Sequence, residues 1–166
     1  MAIETKATDW QVCMLLNAAA GAGAAAGTFR FDFYSATAGI TARFKFVGVG
    51  VGEGGNLSGA VLPADIGSFG PWSSITCDKA FSVWDLNGSW GRLSTISVGM
   101  GVTLGPMYIT AAKNFWSLES WFHSQDVGGF GTGPGGLGGE VLIGRWTFLS
   151  TSHNVPGSSS GGGTVA

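Results

Sequence analysis

The stretch TFRFDFYSATAGITARFKFVGVGVG, residues 28–52, decides how the chain is read. Phe29, Phe31 and Phe33 alternate with Arg30, Asp32 and Tyr34, the period of a strand with one apolar and one polar face. After a short connection from Ser35 to Gly39, Ile40, Ala42, Phe44 and Phe46 alternate with Thr41, Arg43 and Lys45, which predicts the antiparallel partner of a β-hairpin. At Val47 the phase flips. Val47, Val49 and Val51 become the apolar positions, and Gly48, Gly50 and Gly52 stand between them. Such a flip predicts either a bulge or a strand that crosses from one packing surface to another.

The same pattern recurs downstream. Ile96, Val98, Met100, Val102 and Leu104 alternate with Ser97, Gly99, Gly101 and Thr103, leaving one strand face almost without side chains, which allows sharp coiling or close approach by another element such as the N-terminal helix or an aromatic ring. Further strands are expected at Leu57 to Leu62, Phe81 to Leu86, Met107 to Ala111 and Val141 to Leu149. Pro63, Pro71, Pro106 and the Asn87-Gly88 pair separate them. About eight strands at short spacing predict an all-β fold, a Gly-rich antiparallel β-barrel, with a β-sandwich as the alternative.

Before the hairpin, Thr8 or Asp9 is placed to cap a helix, and Trp10, Cys13, Met14 and Asn17 follow at helical spacing. One N-terminal helix from Asp9 to Ala20 is therefore expected. The glycines at 21, 23 and 27 read as an Ala/Gly connector. The organisation is then residues 1–27 as helix and connector, 28–151 as the barrel domain, and 152–166 as a Gly/Ser tail. Gly128 to Gly139 reads as a flexible loop, and Lys113 to Asp126 leans towards a helix or helical turn.

Composition narrows the function. The 166 residues include 30 glycines and seven tryptophans but only eight Lys and Arg and ten Asp and Glu. A typical domain has about 25% charged residues. The basic residues are scattered and the net charge is −2, so the footprint of a nucleic-acid binder is missing. The residues preceding the apolar run at Val12 to Leu16 are not net positive, which argues against a secretory signal; export, if it occurs, would use a signal-independent route. Cys13 and Cys77 match no metal spacing, and whether they pair is left open.

Strings resembling dinucleotide loops (Gly131, Gly133, Gly136 and Gly50, Gly52, Gly55) and a serine nucleophile (Ser159) follow from glycine abundance and lack the strand-turn-helix setting such sites need. Glu119, His123 and Asp126, at i, i+4 and i+7, would share one face of a helix and could form an acid/base cluster. No residue set reads as a metal or cofactor site. The expectation is a non-catalytic interaction protein acting on membranes or by self-assembly, such as an exported microbial effector or surface component. Phe115, Trp116, Trp121 and Phe122 are the expected contacts with a membrane surface or protein partner, and a homo-oligomer is compatible with this. The alternative is a carrier of an apolar small molecule lined by Phe29, Phe31, Phe33, Phe44 and Phe46. A third reading is an enzyme using the acid/His cluster.

Overall fold

The period-two hairpin is present, and the other described strands continue the sheet from both of its edges. The computed structural model describes residues 4–20, 23–53, 72–116 and 120–152. Strand β1 covers Gln11–Ala20, β2 Gly23–Ser35 and β3 Ile40–Glu53. β2 and β3 pair without interruption from Ser35↔Ile40 to Gly23↔Gly52. Their turn closes through Gly39, whose φ of 67° suits glycine, and whose N–H donates to the Ser35 carbonyl at 2.9 Å. Asp9 braces this turn, accepting from the Ser35 hydroxyl at 2.5 Å and the Thr37 N–H at 2.9 Å.

Two short strands follow, β4 (Ser73–Ser74) and β5 (Thr76–Cys77), then the helix α1 (Val83–Leu86) and two long strands, β6 (Trp90–Ala112) and β7 (Ser120–Ser152). All pairings are antiparallel; the order is β4-β1-β2-β3-β7-β5, with β6 on β7. Only Ile75 separates β4 from β5, and its N–H donates to the Trp10 carbonyl at 3.1 Å. One short stretch thus touches β1 on one side and β7 on the other, which curls the sheet round towards itself.

The long hairpin completes the curl by folding in two. Thr110 accepts at its hydroxyl from the Arg92 N–H at 3.2 Å, and its carbonyl accepts from Trp146 Nε1 at 3.1 Å. Eighteen residues of straight strand would hold residues 92 and 110 about 60 Å apart. β6 must therefore double back, and its register with β7 shifts midway, between Gly99 and Gly101. With each long strand forming two arms, the sheet is a nearly closed, nine-strand barrel. It is not a sandwich, and its strand count is one above the expected eight.

The expected N-terminal helix is absent: Gln11–Ala20 is β1, paired with β2 from Gln11↔Tyr34 to Ala20↔Ala26. A lone helix of this length is marginal in water, whereas here Val12 and Met14 are buried against the barrel interior opposite Phe33 and Phe31. The small residues Gly23 to Gly27 likewise form rungs of β2 and are no connector. Gly128 to Gly139 is strand backbone paired with β6. The stretch expected as strand at Phe81 to Leu86 is instead a bridge at Phe81 and α1. The expected strand at 57–62 and the tail from 153 onward lie outside the described residues.

Helix α1 starts at a capping box. The Asp85 N–H donates to the Ser82 hydroxyl at 3.3 Å, and the Ser82 N–H donates to the Asp85 carboxylate at 2.9 Å. Burial pushes the Asp85 carboxyl up, but the hydrogen bonds from Ser82 and the charge of Lys6 outweigh it, so its pKa lies below the ordinary 3.8. At Asp9 burial also pushes up, and the Ser35 and Thr37 bonds bring the net pKa below 3.8. Both carboxylates therefore contribute stability that is present above about pH 4 and lost as pH falls through the lowered folded values. Acid unfolding followed by tryptophan fluorescence should show a shallower decline below about pH 4 in an Asp9→Asn/Asp85→Asn chain, which is less stable at neutral pH. Parallel acid limbs would refute this.

The core is aromatic. Trp146 sits among Phe46, Phe31 and Phe33 with ring centroids at 5.1, 5.3 and 5.5 Å. Phe33 leads on to Phe122, then Phe81, then Trp10, at 5.7, 5.5 and 5.2 Å. All seven are buried, each contributing roughly 2–3 kcal/mol by removal from water. Both buried indole N–H groups are satisfied: Trp10 donates to the Ala7 and Phe81 carbonyls and Trp146 to that of Thr110.

Candidate functional site

Along β3 the wall of the barrel turns inside out. Phe44 and Phe46 point into the core, as do their cross-strand partners Phe31 and Phe29. The next outward positions are Val47, Val49 and Val51, which are 44%, 66% and 65% exposed. There is no bulge at Val47; the β2 and β3 ladder runs straight through it. The phase flip in the sequence is a transfer of the apolar side from the interior to the outer surface.

The interior explains the transfer. Gly27, Gly48, Gly144 and Gly91 form one inward row across β2, β3, β7 and β6. A Cβ on Gly27 would lie 2.6 Å from the Phe29 ring, and one on Gly48 would lie 2.7 Å from the Phe46 ring. The rings of the neighbouring rungs already lean over these glycines, so no side chain fits inside at this level. One row further on, Leu142 of β7 and Leu93 of β6 fill the interior opposite Gly50, and the apolar residues of β3 beyond Phe46 face outward. Val49 pairs with Ile143 and Val51 with Val141, and Ala26 stands opposite Val49 on β2. The result is a stripe of exposed valine, isoleucine and alanine on adjoining strands.

Below the stripe the outer wall is polar. Arg43 grips Asp32 with two hydrogen bonds of 2.8 and 2.9 Å, and Arg30 stands opposite Lys45. At the border lies an aromatic and basic cluster. Trp90 and Arg145 face each other across β6 and β7, in the same row as Val47. The Arg145 guanidinium sits 4.4 Å over the Trp90 ring, a cation–π contact, and donates to the Gly88 carbonyl at 3.2 Å. Phe115 packs edge-on against Trp90 at 5.3 Å and Trp116 against Phe115 at 4.6 Å. Trp116 is 86% exposed. Elsewhere, Trp84 is also exposed but rests on Phe148.

The four aromatics expected to make contacts divide accordingly. Phe115 and Trp116 are on the surface, Trp121 is partly buried against the core, and Phe122 is fully buried within it. Trp90, Arg145, Ile143 and the three valines were not among the expected contacts. The available signal was the phase flip at Val47, which marks where the stripe begins. The expected ligand-lining residues Phe29, Phe31, Phe33, Phe44 and Phe46 are buried and pack on one another and on Trp146, so this end of the barrel is filled.

The acid/His cluster lacks the helix it needed. His123 and Asp126 lie in β7, and Glu119 lies outside the described residues. His123 Nδ1 is 3.5 Å from the Asp78 carboxylate, to which the Ser120 hydroxyl donates at 2.5 Å. The serine hydroxyl is thus bound to the acid and not to the imidazole, the reverse of a nucleophile and base pair. Among the described residues no three metal-ligating side chains come together.

Cys13 and Cys77 are not joined in a disulfide. Burial, the largest influence, pushes the Cys77 thiol up to about 11. Its thiolate fraction at pH 8 is then roughly a hundred times smaller than that of an ordinary thiol. Native-state alkylation by iodoacetamide should be slower than in urea by at least that factor, as counted by mass spectrometry; rapid labelling of Cys77 in the folded chain would contradict this.

Fold and surface together define a barrel-shaped all-β protein whose wall is apolar inside at one end and apolar outside at the other. Comparison with known proteins finds no matching family model and no similar curated protein or solved structure.

Proposed function

We propose that this chain is a non-catalytic protein that acts at a lipid bilayer, inserting the valine-bearing half of its wall. The observation that supports this reading is the change of apolar face along one unbroken strand, from Phe44 and Phe46 inside to Val47, Val49 and Val51 outside. A water-soluble β wall keeps polar residues outward, and a lipid-facing one does the opposite. Backbone groups on these strands are paired with their neighbours, which is the condition for β structure to enter hydrocarbon. Trp90, Phe115 and Trp116 then stand where aromatic side chains favour the interface.

The stripe also sets a depth. From Val47 to Val51 the strand rises about 14 Å, against about 15 Å for one half of the hydrocarbon core. The described stripe therefore fits insertion to the depth of one leaflet. Carriage of an apolar ligand is less well supported, because the phenylalanines that would line the cavity fill it.

Flotation of the purified chain with phospholipid vesicles, together with release of an entrapped dye, tests the reading. The chain should rise with the vesicles and leak their contents. If it stays in the dense fraction with every vesicle composition, the bilayer reading fails; concentration-dependent assembly without lipid would then assign the stripe to contacts between copies.

A further inference from the structure

We infer that the border cluster is a collar that selects anionic bilayers, with Arg92, Lys113 and Arg145 meeting lipid phosphate and carboxylate groups while Trp90, Phe115 and Trp116 occupy the headgroup zone. This rests on the bilayer reading above and adds the class of surface recognised and the orientation on it.

The argument is one of charge placement. The chain as a whole is slightly acidic, with a net charge of −2. Four of its ten carboxylates are engaged away from the border: Asp32 holds Arg43, Asp85 holds Lys6, and Asp78 faces His123. Asp9 is bound into the β2 and β3 turn. Among the described ion pairs, none takes a cation of the collar. Arg92 lies on β6 in the outward row of Val49 and Ile143, one row into the stripe, and its long stem lets the guanidinium reach back to the headgroup layer. Lys113 opens the turn that carries Phe115 and Trp116. Both are exposed. Arg145 is exposed too, and stacking on Trp90 holds its guanidinium at the surface beside the apolar stripe.

The positive charges left without a carboxylate therefore gather where the outer wall passes from polar to apolar. One row nearer the polar end, Arg30 and Lys45 stand side by side, two like charges that repel each other in water and are relieved by an anionic surface. A bilayer presents its charged layer at the edge of its hydrocarbon, the same order in space. A protein partner would need to match both layers over several strands, whereas a bilayer of suitable lipid supplies them everywhere.

The test uses the full chain and two vesicle types, phosphatidylcholine alone and phosphatidylcholine with about 30% phosphatidylserine. A basic residue near an anionic surface strengthens binding about fivefold, so three should give roughly a hundredfold preference for the anionic vesicles. Arg92→Gln/Lys113→Gln/Arg145→Gln should lower binding to the anionic vesicles roughly a hundredfold, far more than binding to the neutral ones. Raising the salt should erase the preference in the parent chain.

Should loss of the Arg145 stack disturb the fold, Arg92→Gln/Lys113→Gln keeps it and should still lose roughly 25-fold. Millimolar inorganic phosphate should not compete; if it does, the cluster is a local phosphate site and the collar inference is overturned. Equal binding to both vesicle types by the parent chain, or an undiminished preference in the triple variant, overturns the collar and leaves the bilayer reading standing. Binding to neither overturns both.

Discussion

Gly144→Ala is expected to destabilise the fold by about 3 kcal/mol or more, the upper part of the range for overpacking. The new Cβ would overlap the Val47 carbonyl oxygen and lie 2.6 Å from the Gly48 Cα. Those neighbours are backbone atoms of β3 in a ladder paired on both sides, so relief requires moving a strand. Gly48→Ala is milder, because the nearest atom is an edge of the Phe46 ring, at 2.7 Å. Gly39→Ala has open space around it and costs only about 1 kcal/mol for its left-handed φ. Urea unfolding followed by tryptophan fluorescence should rank the three in that order. With 5–15 kcal/mol as the usual total, the first variant is close to unfolding. If Gly144→Ala matches the parent chain, β3 and β7 do not approach as closely as described here, and the account of why valines face outward loses its basis.

The second large effect is on binding. Val49→Glu/Val51→Glu should weaken vesicle association by roughly three powers of ten while changing stability by less than about 1 kcal/mol. Both side chains are two-thirds exposed, and surface substitutions away from packed features cost about 0.5 kcal/mol or less each. On a bilayer each valine gains about 1 kcal/mol by burial, and a carboxylate placed at lipid depth costs about another 1 kcal/mol. Two sites together give about 4 kcal/mol, or three decades in affinity. Val49→Thr, close in shape, should lose much less. Unchanged flotation of the double-Glu chain would exclude the stripe from the contact. Loss of binding together with loss of the folded signal would redirect the test to Val49→Thr.

Several elements were legible because their cause is local. Alternation of Phe29, Phe31 and Phe33 with charged and polar residues is compatible with only one backbone period, so β2 and β3 were readable, as were the parts of β6 and β7 built on the same pattern. The N-terminal segment was misread because Trp10, Val12, Cys13 and Met14 satisfy both periods; the choice was made by β2, whose phenylalanines lie opposite Val12 and Met14. Gly128 to Gly139 reads as a loop because of its glycine content. Its backbone is ordered by pairing with Ile96 to Pro106 of β6.

In the candidate site, Phe115 and Trp116 could be picked out as surface aromatics, but Phe122, six residues after Trp116, belongs to the core. Strand parity and the position of β5 on β7 decide that, and neither is visible in composition. Trp90 and Arg145 are 55 residues apart in sequence and meet only because β6 and β7 pair.

By itself, the sequence determined an antiparallel β protein with a glycine-rich wall, an aromatic core and few charges. These follow from side-chain period and composition, which are properties of each segment alone. Tertiary structure decided which side of each strand is inside. Val47, Val49 and Val51 read as core in any periodicity count, and they face outward because rings anchored on neighbouring rungs fill the space behind Gly27 and Gly48. Occupancy of the interior is a property of all the strands together, and that is what turned an apolar stripe into a surface.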